Sequence, residues 1–600
     1  MDPLSPDTAS PAARDAQASG AGPDTIRLFD GLAPFFLGDA TIQADGDISG
    51  PVNWSKIPFA SLERDRALDA ATVATLLVAF EHHVAAMAGL GYNAVSIDDL
   101  AHLVPHAFYP AGLTRTLASY RQLYARVFAI AKSHGLKVFV ITDYLFYNDA
   151  IERHLDDGAI GPAEFFRETI RAAFDAWPEL DGLILRIGES DGVDVHGDFT
   201  SRLSIRRPSE ARALLDTLLP LFEARDKTLV FRTWSLGAYP IGDLIWNPRT
   251  YDAVFGDIAS PNLVVSMKYG DADFFRFLGL NPLFFHGPQR KLIELQCRRE
   301  YEGMGEYPSF VGWLYAGYLA ELRDGGSDLA GIYALQGGGW APFQRLAFCA
   351  NASIWNELNA DVAVNLFTGT STVEEIVSRF CDRYRIAAAG DFLTLLAMSD
   401  AAIEGGLYIR ELAREPAYFR RVRVPPLVWV FWNNVTSSGL VGSLSRHLVR
   451  DRATAVAEGH RAVETVEDML RLATDRGLPA DGIRFQLDTF RILALMREVL
   501  LGTDTSDTHA RLAALLPPYR QAYPVGYRFD DPIHGTNERD RPLRWLFGLL
   551  LRRQPRYRRR DRLLLSRGAT GLNRYLVRRQ RAALPRFVDT RGMASDTLLT

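Results

Sequence analysis

Three carboxylates, Glu189, Asp273 and Glu300, and three cations, Arg186, Arg232 and Lys268, fall at the ends of four successive apolar runs of this chain. The runs begin at Leu183, Leu229, Leu263 and Leu292. Hydrolysis of a glycoside needs one carboxylic acid to protonate the leaving oxygen and one carboxylate to activate water or attack the anomeric carbon. Glu189, Asp273 and Glu300 are the candidates for those roles. Each also has a plainer reading, as a helix cap or a solvated loop residue. The three cations stand where a strand buried on both faces would carry an apolar side chain. A buried, unpaired cation costs several kcal/mol, so each requires an anionic partner. That partner is either one of the three carboxylates or a carboxylate on the substrate, which Arg grips through two parallel hydrogen bonds. Trp234 and Tyr301, with Trp54, Tyr144, Tyr147 and Trp340, are candidates for stacking on sugar rings. His102, His106 and His196 lack metal-ligand spacing, so neither a metal nor any other cofactor is expected.

Residues scattered over a hundred positions meet only if the fold gathers them. Short runs rich in Val, Ile and Leu that end in charge, about 30–45 residues apart, describe parallel strands of a (β/α)8 barrel, whose active site lies at the carboxyl ends of the strands. Eight such runs are present: 25–37, 92–98, 136–143, 182–189, 228–234, 262–269, 291–298 and 331–336. Between them, 113–133, 162–177, 210–224 and 311–322 have helical periodicity. No G-x-G-x-x-G turn or phosphate loop follows an early strand, which leaves a nucleotide-binding sheet without its main support. Beyond about residue 365 the pattern turns helical, at 372–384, 392–414, 453–476 and 483–501. The fold class expected is α/β, a TIM barrel over 25–365 followed by a mainly helical C-terminal domain over 366–540. The aromatic run Trp429–Asn434 belongs either to the core of that domain or to an interface, and a homodimer through the domain is one expectation.

The ends of the chain differ from the middle. Residues 1–24 are rich in Ala, Ser, Pro, Gly and Asp and lack a signal-peptide core, so a disordered leader and a cytoplasmic protein are expected. Three cysteines are too few for a disulfide framework. Residues 541–600 form a basic tail: 13 Arg face the single acid Asp561 between Arg552 and Arg586, although the whole chain carries −5. This tail is either an amphipathic surface for an anionic partner or an arginine-rich face paired with the acidic remainder. No specific nucleic-acid partner is expected. The chain uses Arg almost to the exclusion of Lys, which makes Lys268 at a strand end the more informative cation.

The motifs resemble those of glycoside hydrolase family 67, the α-glucuronidases. Residues 266–274, Ser-Met-Lys-Tyr-Gly-Asp-Ala-Asp-Phe, are similar to the family's Ile-Lys-Asn-Gly-x-x-Asp-Phe segment, with the same five-residue step from Lys to Asp. Glu294-Leu295-Gln296 through Arg299-Glu300-Tyr301-Glu302-Gly303 resembles Glu-Leu-Gln-Ile-Thr-Gln-Glu-Tyr-x-Gly. Gly91–Ile97 and Gly135–Phe139 resemble the family's Gly-Ile-Asn-Ala-x-Ser-Ile and Gly-Ile-Lys-Val-Phe strands, and Trp355-Asn356 followed by Thr372–Ile376 resembles the end of its barrel. The resemblance implies that Asp273 and Glu300 are paired bases activating water, and that Arg186, Arg232 and Lys268 bind a uronate carboxyl. The family's strand-four segment places its Glu four residues after the cation. Here Glu189 is three after Arg186 and Asp191 five after it, so both remain candidates for the acid.

An inverting uronosidase is the expectation these readings share: an enzyme releasing a uronic acid from an oligosaccharide or conjugate. The alternatives are a glycosidase for another acidic or neutral glycan, and a catalytically silent sugar-binding or scaffold protein.

Overall fold

The computed structural model describes residues 25–36, 57, 59–188, 198–235, 239–337, 345–349, 352–426, 439–523, 548–566, 568–572 and 575. Eight parallel strands close on themselves: β1 (Ile26–Asp30), β2 (Ala94–Asp98), β3 (Lys137–Asp143), β4 (Leu180–Arg186), β5 (Thr228–Arg232), β6 (Leu263–Lys268), β7 (Arg290–Gln296) and β8 (Leu329–Leu335). The seam is β1, which pairs with β2 at Asp30 opposite Ser96 and with β8 at Phe29 opposite Ala334. The (β/α)8 barrel read from the sequence is therefore present, with a mostly helical C-terminal region. Most of the strands are shorter than expected, β1 and β5 among them. β1 ends at Asp30 and gives way to a short 3-10 turn, Ala33–Phe36. β5 stops at Arg232, two residues before Trp234.

Helices cover the outside of the barrel. Ala70–Leu90 has no clear polar face and so escapes a search for helical periodicity. Asp69 caps it, its side chain accepting from the Thr72 amide, and Leu76, Leu77, Phe80, His83, Val84 and Met87 are its buried residues. The helix Ile354–Thr368 follows β8 and buries nearly every residue from Trp355 to Val364. Residues 392–414 form two helices, Ala389–Gly406 and Arg410–Arg414. At Gly406 an added Cβ would meet, at 2.2 Å, the ring of Phe490 on a further helix, Ile483–Leu501, so these two helices approach there at a distance only glycine permits. Arg497 is fully buried below this crossing and donates to the carbonyls of Gly406, Tyr408 and Ala455 at 2.7, 3.1 and 3.0 Å.

Successive side chains of a strand alternate between barrel wall and lumen. Phe29 and Phe231 pack outward, on His83 and Phe255 of the surrounding helices. Their neighbours therefore face the lumen, and toward the carboxyl ends that inner face turns from apolar to polar. Ser96 and Tyr333 meet there, hydroxyl to hydroxyl at 2.8 Å. Above them stand Asp30, Asp98, Asp143, Arg186, Arg232, Lys268 and Glu294, all at most 5% exposed. So many buried charges are stable only as pairs.

Candidate active site

The cations at the barrel mouth each meet a carboxylate. Arg186 on β4 places Nε 2.7 Å from Asp143 on β3 and Nη2 3.6 Å from Asp98 on β2. Arg232 on β5 donates through Nε and Nη2 to the two oxygens of Glu294 on β7, both at 2.8 Å, and Ser266 on β6 adds a hydrogen bond of 2.8 Å to the same carboxylate. This is a bidentate pair inside the lumen. Lys268 at the end of β6 ion-pairs with Asp273, while its Nζ lies 3.6 Å from the centre of the Trp234 ring and 4.4 Å from that of Phe274. Lys268 ion-pairs with one of the carboxylates singled out in the sequence; Arg186 is held by Asp143 and Asp98, and Arg232 by Glu294. The reading of the sequence passed over Asp98 and Asp143, although they end apolar strands just as the chosen residues do.

Asp273 and Glu300 come together on the loops after β6 and β7. Asp273 Oδ1 accepts from the Phe274 amide at 2.9 Å, and Oδ2 accepts from the Tyr301 hydroxyl at 2.5 Å. The charge of Glu300, the residue just before it, also acts on that phenol. Burial, then the charges of Asp273 and Glu300, push the Tyr301 phenol far above its ordinary range, so it remains a donor. Glu300 is fixed further by its own amide, which donates to Gln296 Oε1 at 2.9 Å. The Tyr301 ring packs on Phe275 with centroids 4.5 Å apart.

A second layer holds both loops in place. Glu302 is fully buried and ion-pairs with Arg299 at 2.7 Å and with Arg276 at 3.1 Å. It also accepts from the Tyr408 hydroxyl at 2.5 Å and from Ser309 at 2.8 Å. Arg299 donates to the Phe274 carbonyl at 3.1 Å, and Arg276 reaches Asp400 in the helical region. Burial alone would raise the Glu302 carboxyl; Arg276 and Arg299, joined by the hydrogen bonds of Arg299 and Tyr408, bring it down to about 2. Sequence spacing gave no sign of this network, because Tyr408 and Asp400 lie a hundred residues from the loops they brace.

Asp30 and the remaining candidates occupy other places. Asp30 Oδ2 accepts from the amides of Gln336 and Gly337 at 3.1 and 2.8 Å. Burial raises its carboxyl to about 7 against those two donors, and the charge of Asp98 adds to the rise. His102 hydrogen-bonds Asp99 at 2.7 Å and stacks on Phe59. Tyr144 meets Phe166 edge-on, and Arg202 covers the ring of Tyr147. Glu189, Asp191, His196, Trp54, Trp340 and the run Trp429–Asn434 lie outside the described residues, as do the leader 1–24 and the tail beyond residue 575.

No family model matches this chain. No curated protein matches it in sequence. Among solved structures it is similar to a GH138 enzyme targeting pectin rhamnogalacturonan II, with a TM-score of 0.48 and 11% identity over 85% of this chain; it spans only 62% of that enzyme's length. It is also similar to the O-GlcNAc hydrolase of Thermobaculum terrenum, with a TM-score of 0.35 and 11% identity over 74% of this chain and 86% of the other. A third is the D-allulose 3-epimerase of a Methylomonas species, with a TM-score of 0.31 and 12% identity over 58% of this chain and 98% of the other.

Proposed function

We propose that this protein is an inverting glycoside hydrolase that releases a uronic acid, in the manner of the α-glucuronidases its motifs resemble. The observation that carries the proposal is the bond from Tyr301 to Asp273, which brings Asp273 beside the Glu300–Tyr301 turn at the carboxyl end of a parallel barrel. Two carboxylates so placed can orient a water between them and take its proton as it attacks the anomeric carbon. Glu189, by its position after β4 in the sequence, is the residue to protonate the glycosidic oxygen from the other side. Trp234 and Lys268 form a wall beside Asp273, apolar on the ring and cationic at its face.

The uronate enters this scheme through the cations. Arg232, whose guanidinium meets both oxygens of Glu294, and Lys268 are the cations assigned to the substrate carboxylate. Lys268 has a flexible stem and three donors, which suits a hydrogen bond to substrate alongside its pair with Asp273.

The test is hydrolysis by purified protein of a panel of glucuronides, galacturonides and neutral glycosides, with the product anomer followed by NMR. The expected result is preference for uronosides, inversion, and loss of on the order of 10²–10⁴ in kcat for Asp273→Asn and Glu300→Gln. Equal turnover of neutral glycosides refutes the substrate class, and retention refutes the role of the acid pair.

A further inference from the structure

Leu549–Leu564 lies far along the chain from the barrel, yet it returns to the loops at its mouth. Arg552 exchanges both backbone hydrogen bonds with Tyr418, at 2.8 and 3.0 Å, and so adds a rung to the hairpin formed by Tyr418–Phe419 and Val422–Arg423. Its guanidinium is 3% exposed and lies among three rings, 4.6 Å from Tyr557, 5.2 Å from Tyr418 and 5.4 Å from Trp246. It also donates to the Arg420 carbonyl. Tyr557 ties the segment to the loop after β5 by donating to Asp243 at 2.6 Å. Arg558 closes the turn, donating to the Leu551 carbonyl at 2.9 Å and pairing with Asp561 at 2.7 Å.

The hairpin in turn grips the loop after β6. Arg423 pairs with Asp271 at 2.5 Å, and the Tyr418 hydroxyl donates to the same carboxylate. Asp271 is two residues before Asp273. We infer that the C-terminal segment around Arg552 is a positioning element of the active site, bracing the 418–423 hairpin on Asp271 and thereby fixing the loop that carries Asp273. The loop is then held on two sides, by Glu302 through Arg276 and by Arg552 through Tyr418. A residue that reaches the site only through two others acts by geometry, so its removal lowers kcat more than it changes KM. The catalytic arm of this inference rests on the proposed hydrolase; the structural arm does not.

The experiment compares full-length wild type with Arg552→Ala and Arg552→Lys, by hydrogen exchange of peptides covering 268–277 and by kcat and KM on an activated aryl uronoside. The helix Ile483–Leu501 serves as the internal reference. Exchange in 268–277 is expected to rise on the order of tenfold in Arg552→Ala with the reference helix unchanged. The kcat should fall by a similar factor with KM within about twofold, and Arg552→Lys should recover part of both. If Arg552→Ala does not fold, Tyr557→Phe, which removes only the bond to Asp243, gives the same readout in milder form. Unchanged exchange in 268–277 of a folded variant overturns the inference whatever the activity. Raised exchange in a protein that turns over no glycoside supports the brace and sinks the hydrolase reading instead.

Discussion

The Tyr301 hydroxyl donates to Asp273 Oδ2 at 2.5 Å, and the charge of Glu300, the residue just before it, acts on the same phenol. By its type and place in the sequence Tyr301 is a ring for sugar stacking. In the folded protein its polar end holds Asp273, and its ring rests on Phe275.

Tyr301→Phe keeps that ring and removes the donor to Asp273. Asp273 then loses the group that fixes its Oδ2, so kcat is expected to drop roughly 10- to 100-fold with KM little changed. Steady-state kinetics on an aryl uronoside checks this. A variant with wild-type kcat would remove the phenol from the mechanism.

Glu189→Gln should abolish turnover of uronosides with poor leaving groups while sparing activated aryl uronosides, which need little protonation. Comparison of the two substrate types measures it. Equal loss on both would move the acid role to Asp191.

Glu294→Ala leaves Arg232 buried without the carboxylate that meets it twice, at an expected cost of about 3–5 kcal/mol. Replacing both partners, Arg232→Met with Glu294→Leu, should recover most of that loss. Urea unfolding of the two variants gives the comparison, and a double variant no more stable than the single one would contradict it.

The acid side of the stability profile should belong in good part to Glu302. Its folded carboxyl is held at about 2, below the ordinary glutamate value of 4.5. The contribution, about 3 kcal/mol, is therefore fully present above pH ~4.5 and lost as pH falls toward 2. Urea midpoints measured from pH 7 to 2 should show the decline, and Glu302→Gln, destabilised throughout, should show a flatter one.

Asp30 carries the opposite sign. Its carboxyl is raised to about 7, so the folded state keeps a proton that the unfolded chain has released, and stability falls as pH climbs from roughly 4 to 7. Asp30→Asn offers the same oxygen to the amides of Gln336 and Gly337 without the charge. It should be near neutral at pH 4 and stabilising at pH 8, with unfolding midpoints at the two pH values as the measure. A variant destabilised equally at both would show that the carboxylate makes some other contact that matters more.

Eight apolar runs ending in charge were enough to read the barrel, because a strand buried on both faces must be continuously apolar and its inward polar residues stand out at one end. The same local rule picked out Arg186, Arg232, Lys268, Asp273 and Glu300, and the spacing of Lys268 to Asp273 placed that pair within reach of each other. Partner choice was not local. Arg232 could have met any acid on the mouth; closure of the lumen brought it to Glu294, two strands away, and left Asp143 and Asp98 for Arg186. Tyr408 and Arg552 carry no motif, since their contribution depends on where a helical region and a distant segment come to rest on the loops. Composition and periodicity determine which faces are buried, whereas the identity of ion-pair partners across a closed barrel is settled only when the strands meet, because desolvated charges accept whichever partner the closed lumen brings within hydrogen-bond reach.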